Sequence, residues 1–427
     1  MPPILREREQ ILSLFCSVMR NIILFDTVGN HTDLLPITFT RPVSALRVGI
    51  VTIAEKWQRM LPGNHSVLTV EYLREKYPPA VLAEDESALF IASRLLPDAE
   101  LVAAIEALAI GEVLCQGDGD DALLAANCCV GEFEALLAGD AGNLKTVEYS
   151  GNIKAINFLY DIFGFNGGEI VADYKALTAG RIGLSPDDSC KIIGPAFLSD
   201  GTPSVFIEEG ATVEGAILNT KSGPIYIGKD AQVMEGSCIR GPFALCDGAK
   251  VNMLSKIYPD TTIGPLCKVG GELNNVVMLG RSNKAHDGYL GNAVIGEWCN
   301  IGAGANASNL KNDYSKIRLW NYRRHTFMRT DLQFCGLIMG DHSKAGINCM
   351  FNTATVVGVG CNIHGAGFPR VFIPSFSEGS PASGFTDVPL KKFLEIASRV
   401  MARRGIELSE ADRRVYEQVE RVASQFK

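Results

Sequence analysis

Positive charge is in deficit across this 427-residue chain, where 40 Lys and Arg face 48 Asp and Glu for a net charge of −8. That balance argues against nucleic acid or an anionic membrane as the main partner, since both reward a basic surface. Small anionic ligands would need local basic residues instead. No apolar run approaches the roughly 20 residues that cross a bilayer as a helix. The 12 cysteines include no Cys-x-x-Cys pair, so the spacing expected of a zinc site or a redox dithiol is missing. Many of them (Cys238, Cys246, Cys267, Cys299, Cys361) fall in one region and read there as small buried apolar residues. The apolar run at residues 11 to 18 is short and lacks a small-residue cleavage site. The expectation is therefore free thiols in a reducing cytoplasm. Residues 1 to 20 read as an N-terminal extension, with Met19 as an alternative start.

Against these absences stands one strong regularity. Bulky aliphatic residues recur every sixth position at Ile227, Val233, Ile239, Leu245, Val251, Ile257, Ile263 and Val269. Neither a 3.6-residue helical period nor simple strand alternation produces that spacing. A hexapeptide repeat predicts a parallel β-helix whose triangular coils, about eighteen residues each, bury one aliphatic side chain per face. Earlier echoes are Ile207 and Val213. The phase returns at Ile295 and Ile301 and again at Phe351, Val357 and Ile363, and the longer stretches between must loop outward.

Upstream, candidate strands (residues 22 to 25, 88 to 92 and 122 to 126) alternate with helical stretches (43 to 60 and 98 to 108), the pattern of a layered α/β domain. Residues 161 to 181 read as a turn and a helix leading into the repeats, with Asn166 a sugar or metal contact by position alone. After the repeats a Gly/Ser/Pro-rich linker is expected at residues 378 to 384. Two amphipathic helices follow, the first starting at Pro389 and the second capped by Ser409 with Asp412. The expected organisation is an extension (1–20), an α/β domain (21–180), a β-helix (190–375) and a helical tail (385–427). Arg399, Arg403 and Arg404 in the tail read as a solvated helix face rather than as phosphate ligands.

Leu35, Pro36, Thr38, Arg41, Pro42 and Leu46, in LLPITFTRPVSAL, resemble the P-L-T-x-x-R-P-K-P-L stretch of sugar-1-phosphate nucleotidyltransferases. The resemblance implies nucleotide or phosphate contacts at Thr38, Arg41 and Arg94, and magnesium if that domain is active. Arg41 reads equally as a loop arginine packed beneath a helix. In place of the family's glycine-rich phosphate loop stands DTVGNHTD, residues 26 to 33, with a single glycine, and Ser93-Arg94 stand near the family's metal-binding aspartate. Asp118, Asp120 and Asp121 offer oxygen ligands for magnesium, although such a cluster is more often a solvated turn.

A second resemblance lies where the repeat breaks into polar residues, 280 to 314. Lys284, Ala285, His286, Tyr289, Leu290 and Gly291 match K-A-H-x-x-Y-L-G, and residues 300 to 304 match N-I-G-A-G, of the bifunctional enzymes that join glucosamine-1-phosphate N-acetyltransferase to N-acetylglucosamine-1-phosphate uridyltransferase. GLIMGDHSKAGIN, residues 336 to 348, resembles archaeal-type members. The resemblance implies a left-handed β-helix, a homotrimer with sites between subunits, and acetyl-CoA as acyl donor. It places His286 as catalytic base, Tyr289, Asn300 and Asn309 as amino-sugar contacts, and Ala303 beside the donor, with Gly304, Gly346 and Gly365 as further donor contacts. Asn275 replaces a phosphate-binding lysine, and Lys256, Lys268 or Arg281 could supply that charge, with Lys284 also near the sugar. His342 and His364 read as coil-edge histidines.

Chemistry supports the residue types independently. An amine attacking a thioester must lose a proton, and histidine, which as a residue type titrates near 6.5, can take it near neutral pH. The leading expectation is acetyl-CoA-dependent N-acetylation of an amino-sugar phosphate such as glucosamine 1-phosphate in nucleotide-sugar biosynthesis. The rival enzyme is a sugar-1-phosphate nucleotidyltransferase with the β-helix as trimerisation scaffold, and the non-enzyme rival is a sugar-nucleotide-binding regulatory subunit.

Overall fold

The computed structural model describes residues 20–119 and 121–427. The first eighteen residues, Met19 and Asp120 lie outside the described residues. The chain begins with six strands, β1 (Asn21–Phe25), β2 (Asn64–Leu68), β3 (Ser87–Ala92), β4 (Glu112–Cys115), β5 (Leu123–Cys129) and β6 (Lys145–Glu148), ordered β2-β1-β3-β5-β4-β6. Only β5 runs antiparallel to its neighbours. Five helices join them: α1 (Val28–Asp33), α2 (Ile53–Met60), α3 (Ala99–Glu106), α4 (Val130–Leu137) and α5 (Leu159–Thr178).

The helix expected at residues 43 to 60 is shorter than the sequence suggests. A single 3-10 turn at Val43–Ala45 is followed by an extended loop, and α2 starts only after Thr52, which forms a capping box with Glu55. The loop is held open by α5: Asn166 Oδ1 accepts from the Gly49 N–H at 2.7 Å, and Asp173 Oδ2 accepts from the Ile50 and Val51 N–H groups. Gly49 has φ +87, and a Cβ there would collide with the Asp173 carboxylate.

From residue 191 the chain winds into the expected parallel β-helix, a left-handed-β-helix-like stack of short parallel strands. Every residue of the hexad series from Ile227 to Val269 is at most 2% exposed. Two inward columns show the stacking: Ile227, Leu245, Ile263, Met278, Ile295, Met339, Val357 and Ile373 lie one above another, as do Val213, Val233, Val251 and Val269. Alternation along a strand sends neighbouring residues to opposite faces, so while Met278 and Ile295 fill the coil, Val277 and Val294 point outward and join the core of the α/β unit. One face of the β-helix is thus buried on both sides. The outward excursion after residue 307 carries a hairpin, Arg318–Asn321 with Thr326–Arg329.

Asn166, fully buried, is a strut between the two units: its Nδ2 donates to the Asp260 carbonyl and the Thr262 hydroxyl. That placement removes it as a sugar or metal contact. Residues 378 to 384 are likewise no linker. Ser377–Ser380 continues the stack by pairing with Asn362 and Ile363 and turns back into Gly384–Asp387, because small residues are what a tight coil edge accepts. Helices α6 (Leu390–Ala402), starting after Pro389, and α7 (Glu410–Ala423), capped by Ser409 on Asp412, then fold back over the β-helix. Helix α7 reaches the α/β unit through Lys76–Asp412 at 2.8 Å and a two-pronged Arg414–Glu75 pair. Cys238 is exposed, whereas Cys246, Cys267, Cys299 and Cys361 are buried as expected, and all described cysteines are unpaired thiols. Among the described residues no helix is long and apolar enough to cross a membrane.

Candidate active site

The β-helix bears a cleft of about 650 Å³ on the outside of the ladder that contains Val269, Lys284 and Ile301. His286 is exposed at its rim, in the turn that follows the strand Asn283–Lys284. Asn300 and Arg281 line the same cleft, and the structure adds Lys268, Asn283, Trp298 and Lys344 from the ladder and Val400, Arg403 and Arg404 from the end of α6. Arg403 is exposed at the cleft mouth, in line with a solvated face, whereas Arg404 departs from it: α6 packs on the β-helix through Phe393 against Phe376 and His342, which carries its end over Asn283, where Arg404 Nη2 donates to Asn283 Oδ1 at 3.3 Å.

Lys284 does not face a ligand. The register Val269↔Lys284 puts it in an inward column that other coils fill with aliphatic side chains, and it is 1% exposed. Its ammonium donates to the Gly270 carbonyl at 3.0 Å and to the His286 carbonyl, so it fixes the turn that presents His286. Burial pushes its pKa down to about 8. Lys344 lies on the outward side of the ladder, in register with Asn300, yet its ammonium is also spent on the protein, donating to the Trp298 and His342 carbonyls at 2.7 and 2.9 Å, and burial lowers it to about 8. Arg281 pairs with Glu297 at 2.8 Å and lies over the Trp298 ring.

The remaining expected sugar contacts lie on the neighbouring ladder, round the corner formed by residues 285 to 288. Tyr289 and Asn309 form a polar cluster there, with Asn309 Nδ2 donating to the Tyr289 hydroxyl at 3.0 Å and to Asn292 Oδ1 at 2.8 Å. Lys256 is in register with Glu272 on that ladder, and Glu272 with Tyr289; the lysine is paired to Glu272 at 2.9 Å in the open. One chain therefore groups His286, Asn300 and Arg281, and holds Tyr289, Asn309 and Lys256 on an adjoining face.

The expected donor contacts share one edge of the stack. The Gly304 N–H donates to the Asp287 carbonyl, the Asn348 N–H to the Ala303 carbonyl, and Gly346 abuts His364, whose neighbour Gly365 turns the next coil. The edge thus runs from the His286 turn past Ala303, Gly304 and Gly346 to Gly365 as a line of small residues whose backbone a long thin ligand could approach. His342 sits at a coil turn as expected, with φ +57, but it is covered by the C-terminal helices and lies buried among Trp298, Phe393 and Tyr416.

In the α/β unit the structure turns two expected phosphate ligands into protein. Thr38 is fully buried and its hydroxyl donates to the His31 carbonyl at 2.7 Å. Arg41 is 5% exposed and its guanidinium pairs with Asp341 at 2.6 Å and Glu297 at 3.5 Å. Residues 28 to 33 of DTVGNHTD form helix α1, with the Thr27 hydroxyl accepting from the Asn30 N–H, so the segment makes no open loop of N–H groups. Arg94 alone faces a cleft, of about 500 Å³, with Gln116, Asp118, Asp121 and Tyr160; its guanidinium donates to Asn157 Oδ1 at 3.1 Å and to the Asp121 carbonyl. Among the described residues no three His, Cys, Asp or Glu side chains converge where a metal could sit. Asp118 and Asp121 line the Arg94 cleft together with Asp161, and Asp120, expected with them as a magnesium ligand, lies outside the described residues.

Sequence reasoning missed the basic wall of the cleft. Its signal was the pair Arg403-Arg404 one turn beyond Val400, but only the fold shows that this side of the helix meets the β-helix.

Residues 22–182 match the family model described as sugar nucleotidyl transferase. The bifunctional protein GlmU of Corynebacterium efficiens is 26% identical over 293 residues, 60% of this chain and 56% of that protein. The bifunctional protein GlmU of Trichodesmium erythraeum is 28% identical over 138 residues, 31% of this chain and 24% of that protein. The chain thus spans less than two thirds of the length of either relative. A crystal structure of an Arabidopsis UDP-N-acetylglucosamine acyltransferase aligns over 52% of this chain and 80% of that one at 13% identity, with a TM-score of 0.22. The chain therefore carries a segment of the sugar nucleotidyl transferase type at residues 22–182 and resembles, at low identity, the bifunctional GlmU proteins.

Proposed function

We propose that this protein is a cytoplasmic, homotrimeric transferase of sugar-nucleotide biosynthesis that moves an acetyl group from acetyl-CoA to the amine of a phosphorylated amino sugar. The observation that carries the reading is His286, exposed at the rim of a cleft lined by Lys268, Arg281, Lys344, Arg403 and Arg404 and by no carboxylate. The acceptor nitrogen forms a bond to the thioester carbonyl carbon, the carbon–sulfur bond breaks, and coenzyme A leaves as the thiolate. His286 takes the proton that the amine must shed and returns it to the departing sulfur, a role worth roughly 100- to 10,000-fold. Lys284 holds the turn that carries the imidazole. The cations bind the anionic acceptor, and the line of small residues from Ala303 to Gly365 suits the pantetheine arm. Tyr289, Asn309 and Lys256 stand on the adjoining face, away from the His286 cleft of the same chain, and would serve a site completed by a neighbouring subunit, which is one reason to expect a trimer.

Purified protein is incubated with acetyl-CoA and a panel of amino-sugar phosphates and nucleotide-linked amino sugars, following thiol release and the mass of the product. Release of coenzyme A without an acetylated sugar, or no release with any acceptor, would sink the reading.

A further inference from the structure

One wall of the His286 cleft rests on a charge that comes from the α/β unit. Arg281, which lines the cleft, donates from Nη1 to Glu297 Oε1 at 2.8 Å and lies 5.4 Å over the Trp298 ring. The second oxygen of that carboxylate, Oε2, stands 3.5 Å from Arg41 Nη2. The Glu297 N–H donates to Asp341 Oδ1 at 2.8 Å, and Asp341 is itself the bidentate partner of Arg41. The chain keeps room for the Arg281 contact, because a Cβ on Gly280 would stand 3.0 Å from Glu297 Oε1. Two cations and two carboxylates thus run in one line from residue 41 to residue 281, and of the four only Arg281 lines the cleft.

Junction packing alone does not account for Arg41. A buried ion pair adds little net stability, and apolar side chains of similar volume join two units as well or better. They do so nearby, where Val277 and Val294 of the β-helix enter the core of the α/β unit. What an apolar residue cannot do is balance charge. Asp341 and Glu297 put two negative charges behind the wall, and Arg281 by itself cancels one of them. Without Arg41 the wall would therefore present net negative charge to a cleft that otherwise gathers cations. Arg41 is 5% exposed and Asp341 3%, so water and salt screen that charge poorly. With Arg41 in place the line is neutral. Arg281 is then held at Nη1 by the carboxylate and on its face by the indole, while its Nη2 makes no hydrogen bond to a described residue. The guanidinium keeps a donor for a ligand oxygen. Resting on the acyl-transfer reading, we propose that Arg41 is a positioning residue of the β-helix site, which through Glu297 and Asp341 keeps the Arg281 guanidinium set toward the cleft and its charge available to the phosphate of the acceptor. The sugar nucleotidyl transferase segment then serves acyl transfer as a source of fixed charge, whatever its own turnover.

The full chain is assayed with acetyl-CoA and glucosamine 1-phosphate, and binding of inorganic phosphate is measured by calorimetry, at a temperature where circular dichroism shows each variant folded. Arg41→Met should raise the KM for the acceptor at least about 10-fold, the scale of one poorly screened charge near the site, while kcat and the KM for acetyl-CoA move less than about two-fold. Arg281→Met should raise the same KM by at least as much. Arg41→Met/Asp341→Asn, which makes the line neutral again, should bring the acceptor KM back to within about three-fold of wild type, as should the charge-keeping Arg41→Lys. A residue that only packs the junction would lower kcat through the active fraction and leave both KM values alone. That result, or a rise in the KM for acetyl-CoA alone, would overturn the proposal. If Arg41→Met does not fold, Arg41→Gln, which can still donate to Asp341, takes its place with the same expectations. If no acceptor turns over, yet phosphate binds the wild type and both single methionine variants weaken it at least about 10-fold with recovery in the double variant, the positioning role stands and the acyl-transfer reading fails. Without turnover, phosphate that fails to bind or binds every variant alike overturns the positioning role.

Discussion

Arg41 and Asp341, three hundred residues apart, share a buried bidentate contact in which the two guanidinium nitrogens donate at 3.1 and 2.6 Å. The Thr40 hydroxyl and the Glu297 N–H complete the carboxylate's partners at 2.6 and 2.8 Å. Arg41 beside it, with those bonds, holds the Asp341 carboxyl below its ordinary range although burial alone would raise it. Glu297 also pairs with Arg281 at the cleft, so a residue of the nucleotidyltransferase-like motif supports the wall of the β-helix site.

Removing one partner of a buried pair leaves an uncompensated charge, at a cost of about 3–5 kcal/mol. Arg41→Met should therefore destabilise the junction between the two units by that order, and Arg41→Lys by less, measured as chemical-unfolding midpoints. An Arg41→Met protein as stable as wild type would mean that the pair contributes nothing to the interface.

His286→Ala should lower acetyl transfer at least about 100-fold while leaving the unfolding midpoint unchanged, since the exposed ring fills no cavity. Lys284→Met should act differently. It swaps an inward lysine for an apolar side chain of similar length, keeps the stack, and releases the His286 carbonyl, so turnover should fall by a smaller factor with stability kept or raised. Equal losses in both variants would contradict a positioning role for Lys284.

Val251→Asp places an unpaired charge in a fully buried column. Soluble, correctly assembled protein should be lost along with activity. Sedimentation of an intact oligomer would show that the column tolerates water.

Burial pushes His342 down to about 3 and His31 to about 4. Around His342 stand Trp298, Phe393 and Tyr416, with Asp341, Lys344, Lys76 and Asp412 as the charged groups that bear on it. Both rings stay neutral in the folded chain below pH 6.5, where the unfolded chain takes up protons. Stability should thus fall as pH drops from about 6.5 toward 4, by up to about 1.4 kcal/mol per unit for each ring. Asp26, raised by burial to about 6, works the other way between 3.8 and 6 and offsets one of the two. His342→Phe, which suits the aromatic surroundings, should flatten the net acid slope. An unchanged slope would remove His342 as its cause.

The hexads were legible because a period of six is written in the side chains that fill the coil, and every one of them is buried. Lys284 was not, because the coil between Val269 and Lys284 is shorter than the one before it, which breaks the period and hides an inward lysine among polar neighbours. Arg403 and Arg404 were read from the helix alone, where a basic face looks solvated, and their surroundings are set by the packing of Phe393 far along the chain. Arg41 reads equally as packing or ligand binding in the sequence because its partner, Asp341, lies in the other unit. The motifs mark His286 on the polar break, and the structure shows that position as an exposed turn at the cleft rim, while its neighbours depend on long-range contacts.

The α/β unit should show weak or absent nucleotidyl transfer. Catalysis of phosphoryl chemistry depends on positioned cations, backbone donors and usually a metal that stabilise charge on the transferred group. Here the segment that would cradle phosphates is helix α1, capped by Thr27 and too short to leave a loop of free N–H groups. Arg41 and Thr38 point into the protein, and Ser93-Arg94 stand where the resemblance expects a carboxylate, so that one oxygen ligand is replaced by a cation. Arg94 shares its cleft with Asp118, Asp121 and Asp161, and these carboxylates oppose an anion there. UTP, dTTP, GTP, ATP and CTP are supplied in turn with several sugar 1-phosphates and magnesium, and pyrophosphate release is followed. Arg94→Ala should change nothing in that assay. Rapid, magnesium-dependent release with any pair, abolished by Arg94→Ala, would establish the nucleotidyltransferase as active and return the β-helix to the role of scaffold.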